Sequence, residues 1–260
     1  MKKNNSILFV LLLMLASFTV GLEYPRGDVN LDGAVDVADV TTLIDYLLNG
    51  SWPEEPVTPP GNHEYVDLGL PSGMLWATCN VGAENPEDYG DYFAWGETEA
   101  KDYYYWNTYR WCNGSNNTLT KCCTDSSYGY NGFVDNKTEL DPEDDAACVN
   151  WGATWRIPSI AQWHELFSNC TTRWTQMNGV NGQLVTGPNG NFLFLPAAGS
   201  RWEDSHNEVG SLGRYWSRTL ISIYSNESII RYFESEDWNS DYLAARSGGC
   251  TIRAVRVSQN

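Results

Sequence analysis

The stretch WGATWRIPSIAQWHELF, residues 151–167, leaves few folds open to this chain. Pro158 stops a short strand. Ser159 then stands where its hydroxyl accepts a first-turn N–H, and Gln162, three residues on, reaches back to close a capping box. Ile160, Trp163, Leu166, Phe167 and Cys170 recur at helical spacing and give the helix one apolar face. Trp151, Trp155 and Trp163 add a large aromatic area that must be covered. The unit therefore predicts a core helix against which the rest of a domain, residues 63–260, is assembled.

The flanking runs are strand-like. Tyr65–Leu68 and Met74–Cys79 flank Pro71, Ser72 and Gly73, which predicts a hairpin. Asp91–Trp95 predicts a short strand, and residues 99–138, rich in Tyr, Asn, Ser, Gly and Thr, predict a long loop region. Pro142 behind Asp141, followed by Glu143 and Asp144, predicts the start of a short helix to Val149. Phe192–Leu195 predicts a buried strand ended by Pro196. Turns at Asn178-Gly179, Asn181-Gly182 and Pro188–Gly190 bracket QLVT, and Tyr215–Ser217, Ile229–Phe233 and Thr251–Val257 predict further strands.

Four segments together carry a resemblance: YVDLGLPSGMLWATCNVGAENPEDYGDYFAWGET (65–98), WGATWRIPSIAQWHEL (151–166), FLFLPAAGSR (192–201) and the run GRYWSRT to TIRAVR (213–256). They resemble the Fibrobacter succinogenes major paralogous domain family, over about three quarters of the chain. That likeness implies a C-type-lectin-like fold: an α+β domain with a mixed antiparallel sheet and two or so short helices. It also implies a ligand surface built from loops in the C-terminal part. Residues 199–249 there are rich in contact-forming side chains, and Tyr224, Asn226, Trp238, Asn239, Asp241 and Tyr242 are the candidate ligand-binding residues. The segment 213–256 also resembles variable regions of retroelement-diversified lectin-like proteins.

Upstream, the chain reads as three further parts. Residues 1–21, with Lys2 and Lys3 before an almost wholly apolar run from Ile7 to Phe18, predict a secretory signal. The run is too short for a membrane span, so a secreted protein without an integral membrane span is expected, in the periplasm, at the cell surface or outside the cell. Residues 22–50 contain GDVNLDGAVDVAD. Here Asp28, Asn30, Asp32, Asp36 and Asp39 occupy loop positions 1, 3, 5, 9 and 12, Gly33 makes the turn, and Ala34 offers its carbonyl. This spacing wraps oxygens around one hard cation, and Ca²⁺ is the expected cofactor. Val40, Leu43, Ile44, Leu47 and Leu48 form the stripe of an exiting helix, while Pro25 blocks an entering one. The segment resembles one type I dockerin repeat, which implies a cohesin-like partner; cohesin-binding dockerins carry two such repeats, and here there is one. Residues 51–62, rich in Pro, predict a linker.

Composition narrows the function classes. A formal charge of −17 excludes the basic face that a nucleic-acid partner needs. The seven cysteines (79, 112, 122, 123, 148, 170 and 250) leave at least one unpaired; Cys79 and Cys170 read as core thiols, and Cys112, Cys122 and Cys123 as bridge candidates. No zinc spacing occurs. Calcium-bridged sugar binding would need a Glu-Pro-Asn or Gln-Pro-Asp tripeptide with Trp-Asn-Asp, and only Trp238, Asn239 and Ser240 come near. A formylglycine-generating activity would need a copper-binding cysteine pair where only Cys250 lies. The expectation is a non-catalytic protein that binds or adheres to a protein or glycan ligand. The alternative is a dockerin-bearing component of a polysaccharide-degrading complex.

Overall fold

The computed structural model describes residues 63–221, 223–235 and 239–257, together with Val40 and Leu43. The signal segment, the calcium loop 28–39 and the linker lie outside the described residues. Val40 and Leu43, both expected on the exiting helix, are helical. The chain divides into two units, Met1–Pro59 and Pro60–Asn260, and the division falls inside the Pro-rich stretch.

The second unit is α+β, with several small antiparallel sheets and few helices. β1 (Tyr65–Asp67) and β2 (Met74–Ala77) form the expected hairpin, closed by an N–H of Gly73 donating to the carbonyl of Leu70 at 2.9 Å. A 3₁₀ turn (Pro142–Asp144) precedes α1 (Ala146–Trp151), which Asp145 caps. The expected helix thus starts later, because Asp145 rather than Pro142 satisfies the first orphan N–H groups. α2 (Ile160–Asn169) has the capping box its sequence calls for: Gln162 N–H to Ser159 Oγ at 3.3 Å, and Ser159 N–H to Gln162 Oε1 at 2.8 Å.

Three strands follow: β3 (Thr171–Met177), β4 (Val180–Thr186) and β5 (Phe192–Pro196), paired in that order. β3 was not expected from the sequence; its alternation is weak, and the Asn178-Gly179 turn that pairs it with β4 sets its register. Pro196 is the last residue of β5 rather than its terminator. A small hairpin, β6 (Ser200–Trp202) and β7 (Ser205–Asn207), leads into β8 (Leu212–Leu220) and β9 (Glu227–Glu234), and β10 (Asn239–Ala245) takes the outer place beside β9. Finally β11 (Val255–Val257) returns to pair with β2.

The segment between β10 and β11 laces these sheets together. The carbonyl of Arg246 accepts from Trp95, Arg201 and Gly249 exchange N–H···O bonds, Phe93 pairs with Cys250, Tyr215 with Thr251, and Arg156 with Val255. Asp91–Trp95, expected as a strand, forms no ladder; it is held by one antiparallel bridge, Phe93 to Cys250, and by single bonds from Asp91 N–H to Val81 and from Trp95 N–H to Arg246.

Packing explains why the tryptophan-rich unit is central. Trp151 and Trp155 enter one apolar cluster with Trp95, Trp216 and Ile252; Trp163 and Leu166 enter a second with Trp76, Leu195, Tyr215 and Phe233. The unit therefore bridges two cores. Burying one large aromatic ring contributes about 4–6 kcal/mol as an upper bound, from roughly 150–250 Å² at roughly 25 cal/mol per Å². Residues 99–138 are irregular, as expected, but not loosely held. Tyr104, Trp106, Tyr109 and Leu119 are buried in a third cluster.

All seven cysteines are free thiols. The bridge expected among Cys112, Cys122 and Cys123 does not form. Cys122, with φ of 52°, faces the first cluster, while its neighbour Cys123 faces the third. Cys79 and Cys170 are half-buried, and Cys170 packs against the second cluster, as expected of a core-side thiol.

Candidate functional site

Of the six candidate ligand residues, five lie among the described residues, and Trp238 lies outside them. Tyr224 is 45% exposed in the turn before β9, and Asn226 follows it, its carbonyl accepting the Arg246 N–H at 3.1 Å. Asn239, Asp241 and Tyr242 are on β10, a strand rather than the loop expected there. The period-2 alternation of a strand puts Asn239 and Asp241 on one face and Tyr242 on the other. Asp241 pairs with Arg231, and Tyr242 with Ile230. The five described members are therefore spread over two faces and along the ladder. Asn226 lies near the Ala245 end of the ladder, and Tyr242 about 10 Å further along it at roughly 3.3 Å per residue.

Asp241 is also committed elsewhere. Its carboxylate contacts Nε2 of His164 on α2 at 2.5 Å and accepts from Nη1 of Arg231 at 3.2 Å. Arg231 in turn lies over the Phe167 ring, 4.0 Å from its centre, and burial lowers its pKa from the ordinary value. This group clamps α2 to the β8–β10 sheet. Tyr242 stays 60% exposed, with its ring 6.2 Å from that of Tyr232.

The chemistry collects one step away, in a cleft of about 550 Å³ between the β6–β7 hairpin, Arg214 of β8, the end of β10 and residues 248–250. Its volume falls inside the roughly 300–1,000 Å³ span of small-molecule sites. Trp202, His206, Asn207, Glu208 and Arg214 supply the side chains that line it. The Trp202 indole meets the Tyr105 ring edge-on at 5.2 Å, and His206 meets Tyr92 at 5.4 Å. Arg214 Nη2 donates to Glu208 Oε2 at 2.5 Å. Beneath them, Arg201 donates to the carbonyls of Lys101 at 3.2 Å and Asp102 at 2.9 Å and lies over the Tyr104 ring.

Two glycines make this shape available. Gly199 has φ of +63°, and a Cβ there would stand 2.1 Å from the carbonyl oxygen of Asn207. Only glycine lets the 207–209 turn fold down so that Glu208 reaches Arg214. At Gly249 a Cβ would meet the Tyr104 ring at 2.8 Å, so the cleft wall and the third cluster can touch only through bare backbone. Cys250 lines the floor, and burial pushes its thiol up to about 12. It stays protonated at neutral pH, so it is not a thiolate nucleophile.

A separate acidic group, Asp141, Glu143 and Asp144, brings carboxylate oxygens within 4.8 Å of one another. Such a donor set suits a hard cation. The ammonium of Lys121 already stands among them, 3.3 Å from Asp141 and 3.9 Å from Glu143 and in contact with Asp144, while Lys137 also binds Asp141. Two ammonium groups thus offset much of the charge of the three carboxylates. The six expected calcium ligands of the 28–39 loop are not in this group. Among the described residues, no helix is long and apolar enough to cross a membrane.

The region 199–249 contains the cleft, but not through the residues picked out from its composition. Trp202, Glu208 and Arg214 are brought against Ala244 and Gly249 by long-range pairing, and no spacing in the sequence announces it. No family model matches the chain, and no curated protein or solved structure matches it either.

Proposed function

We propose that this chain is an exported, calcium-binding, non-catalytic protein that binds or adheres to an extracellular ligand, with residues 63–260 as a C-type-lectin-like domain of the Fibrobacter succinogenes major paralogous domain family. The observation that carries the reading is the cleft, an open hollow lined by aromatic and hydrogen-bonding side chains. Such a lining binds and orients a ligand. The segments quoted above support the family, and the Asp28, Asn30, Asp32, Ala34, Asp36 and Asp39 spacing supports Ca²⁺.

The test uses the secreted chain. It is immobilised and exposed to broad protein and glycan arrays, and calcium is titrated into it by calorimetry. Binding to at least one class of ligand is expected, together with calcium binding that Asp28→Ala combined with Asp32→Ala abolishes without shifting the melt of the main domain. Silence on every array would overturn the binding role. Unchanged calcium binding in the double variant would overturn the loop assignment.

A further inference from the structure

We infer that the cleft beside the β6–β7 hairpin is a saccharide subsite that reads a neutral sugar directly, without a bridging metal; the inference rests on the ligand-binding reading above and names its ligand class.

The side chains of Glu208 and Arg214 meet at 2.5 Å at the cleft, 46% and 24% exposed. A carboxylate only accepts hydrogen bonds, and a guanidinium only donates. Side by side, they match two neighbouring hydroxyls of a pyranose, one donating to Glu208 and the other accepting from Arg214. Arg201 also lines the cleft, but its guanidinium is spent on the carbonyls of Lys101 and Asp102. The Glu208–Arg214 pair balances its own charge, and its adjacent acceptor and donor suit a neutral polyol. The overall charge of −17 further repels anionic chains at long range.

Trp202 supplies the second requirement. A pyranose has an apolar face of C–H groups, and a half-exposed indole is a flat surface that can cover it. Edge contact with Tyr105 fixes the plane of that indole. Asn207 and His206 stand at the same hollow with groups that both donate and accept.

A peptide is a poorer fit. At the inner wall, Arg201 and Gly249 spend their N–H and C=O groups on each other, at 2.8 and 2.9 Å, so no free ladder is offered there for strand addition. Metal bridging is also disfavoured by the donor set. Glu208 is the one carboxylate lining the cleft among the described residues, and Ca²⁺ takes six to eight oxygens.

The experiment probes the secreted chain with an array of neutral and uronic-acid-bearing oligosaccharides, in calcium and again in EDTA. The strongest binder is then titrated by calorimetry against wild type, Trp202→Ala, Trp202→Phe and Glu208→Gln, each first checked by thermal melt. The expected result is a neutral oligosaccharide whose affinity is unchanged in EDTA. It should fall about tenfold or more in Trp202→Ala, change less than about threefold in Trp202→Phe, and fall about tenfold in Glu208→Gln. Because Glu208 projects from the surface, Glu208→Gln reports even where Trp202→Ala does not fold. Loss of sugar binding in EDTA overturns the metal-free claim. Sugar binding that none of the variants moves overturns the cleft assignment while leaving the ligand-binding role intact. Binding only to proteins, or only to acidic sugars, overturns the ligand class. No binding on any array removes the ligand-binding role itself.

Discussion

Arg246 gives the sharpest test of how this fold is held. It is fully buried, yet its guanidinium has no carboxylate partner. Instead Nε donates to the Tyr109 hydroxyl at 2.9 Å, Nη1 to the carbonyls of Cys122 and Ser225 at 2.9 Å each, and Nη2 to that of Lys121 at 3.0 Å. The group also lies over the Trp95 ring, 4.7 Å from its centre. Arg246→Met keeps much of the stem and removes all of these bonds. The Tyr109 hydroxyl keeps its own bond to the Trp95 carbonyl at 2.7 Å, so three carbonyls are left buried and unpaired. Each such carbonyl costs about 1–3 kcal/mol, while removing a lone buried charge returns several kcal/mol of desolvation. The acceptors come from two irregular segments that this one side chain ties together, so relaxation by repacking is restricted. A net loss of about 3 kcal/mol is expected, or about 10 °C in melting temperature for a domain of this size. Urea unfolding at unchanged m-value measures it, with amide exchange reporting faster opening around residues 121–123 and 225. Arg246→Lys should recover little, because an ammonium lacks the planar fork. An Arg246→Met protein within 1 kcal/mol of wild type, or more stable, would refute the reasoning: the charge would then be a tolerated cost rather than a tie.

Three further outcomes follow from the same geometry. Burial pushes the thiols of Cys122 and Cys250 up from 9.0 to about 11 and about 12, so the folded chain holds protons that the unfolded chain releases. Their stabilising share is whole below pH 9 and is lost as pH rises toward these values, by about 2–3 kcal/mol per pH unit; urea midpoints that stay level from about pH 9 to pH 10.5 would contradict this. Ser159→Ala removes one half of the α2 capping box and should cost about 1 kcal/mol by chemical denaturation, with Gln162→Ala giving no further equal loss because the two bonds act together. Gly199→Ala should cost more than about 1 kcal/mol and displace the Asn207–Val209 turn, read as weakened ligand capture alongside a lowered melt; an unchanged melt would show that the turn yields to a Cβ.

What the sequence made legible was local. The Ser159 to Cys170 helix, its cap and its apolar face, and the Tyr65 to Ala77 hairpin are fixed by contacts a few residues apart, and all of them stand in the structure. The disagreements come from contacts that span the chain. Asp91–Trp95 has strand composition, but its backbone bonds go to residues as far apart as Val81, Arg246 and Cys250, so no ladder forms. Asn239, Asp241 and Tyr242 have loop composition, yet the ladder with β9 makes them a strand, and Asp241 is taken up by His164, 77 residues away. The cleft escaped notice for the same reason. Its wall pairs Arg201 with Gly249, and neither position carries a local signal of the other.

The pairing of β11 with β2 sets the order in which this domain can be completed. Val255–Val257 lie beside Met74–Trp76, and buried Arg253 donates from Nε to Asn80 Oδ1 at 2.8 Å and from Nη1 to the Ala77 carbonyl at 3.1 Å. The first hairpin of the domain thus waits for a strand made far later in the chain. A chain growing from the ribosome can form α2 and the β3–β5 meander early, since those contacts are short in sequence. It cannot finish its first sheet until synthesis passes Val257, so until then both ends of the domain remain open to chaperones and proteases. Removal of Val255–Val257 should therefore act less like trimming a tail than like leaving out a keystone, since it strips β2 of one of its two neighbours.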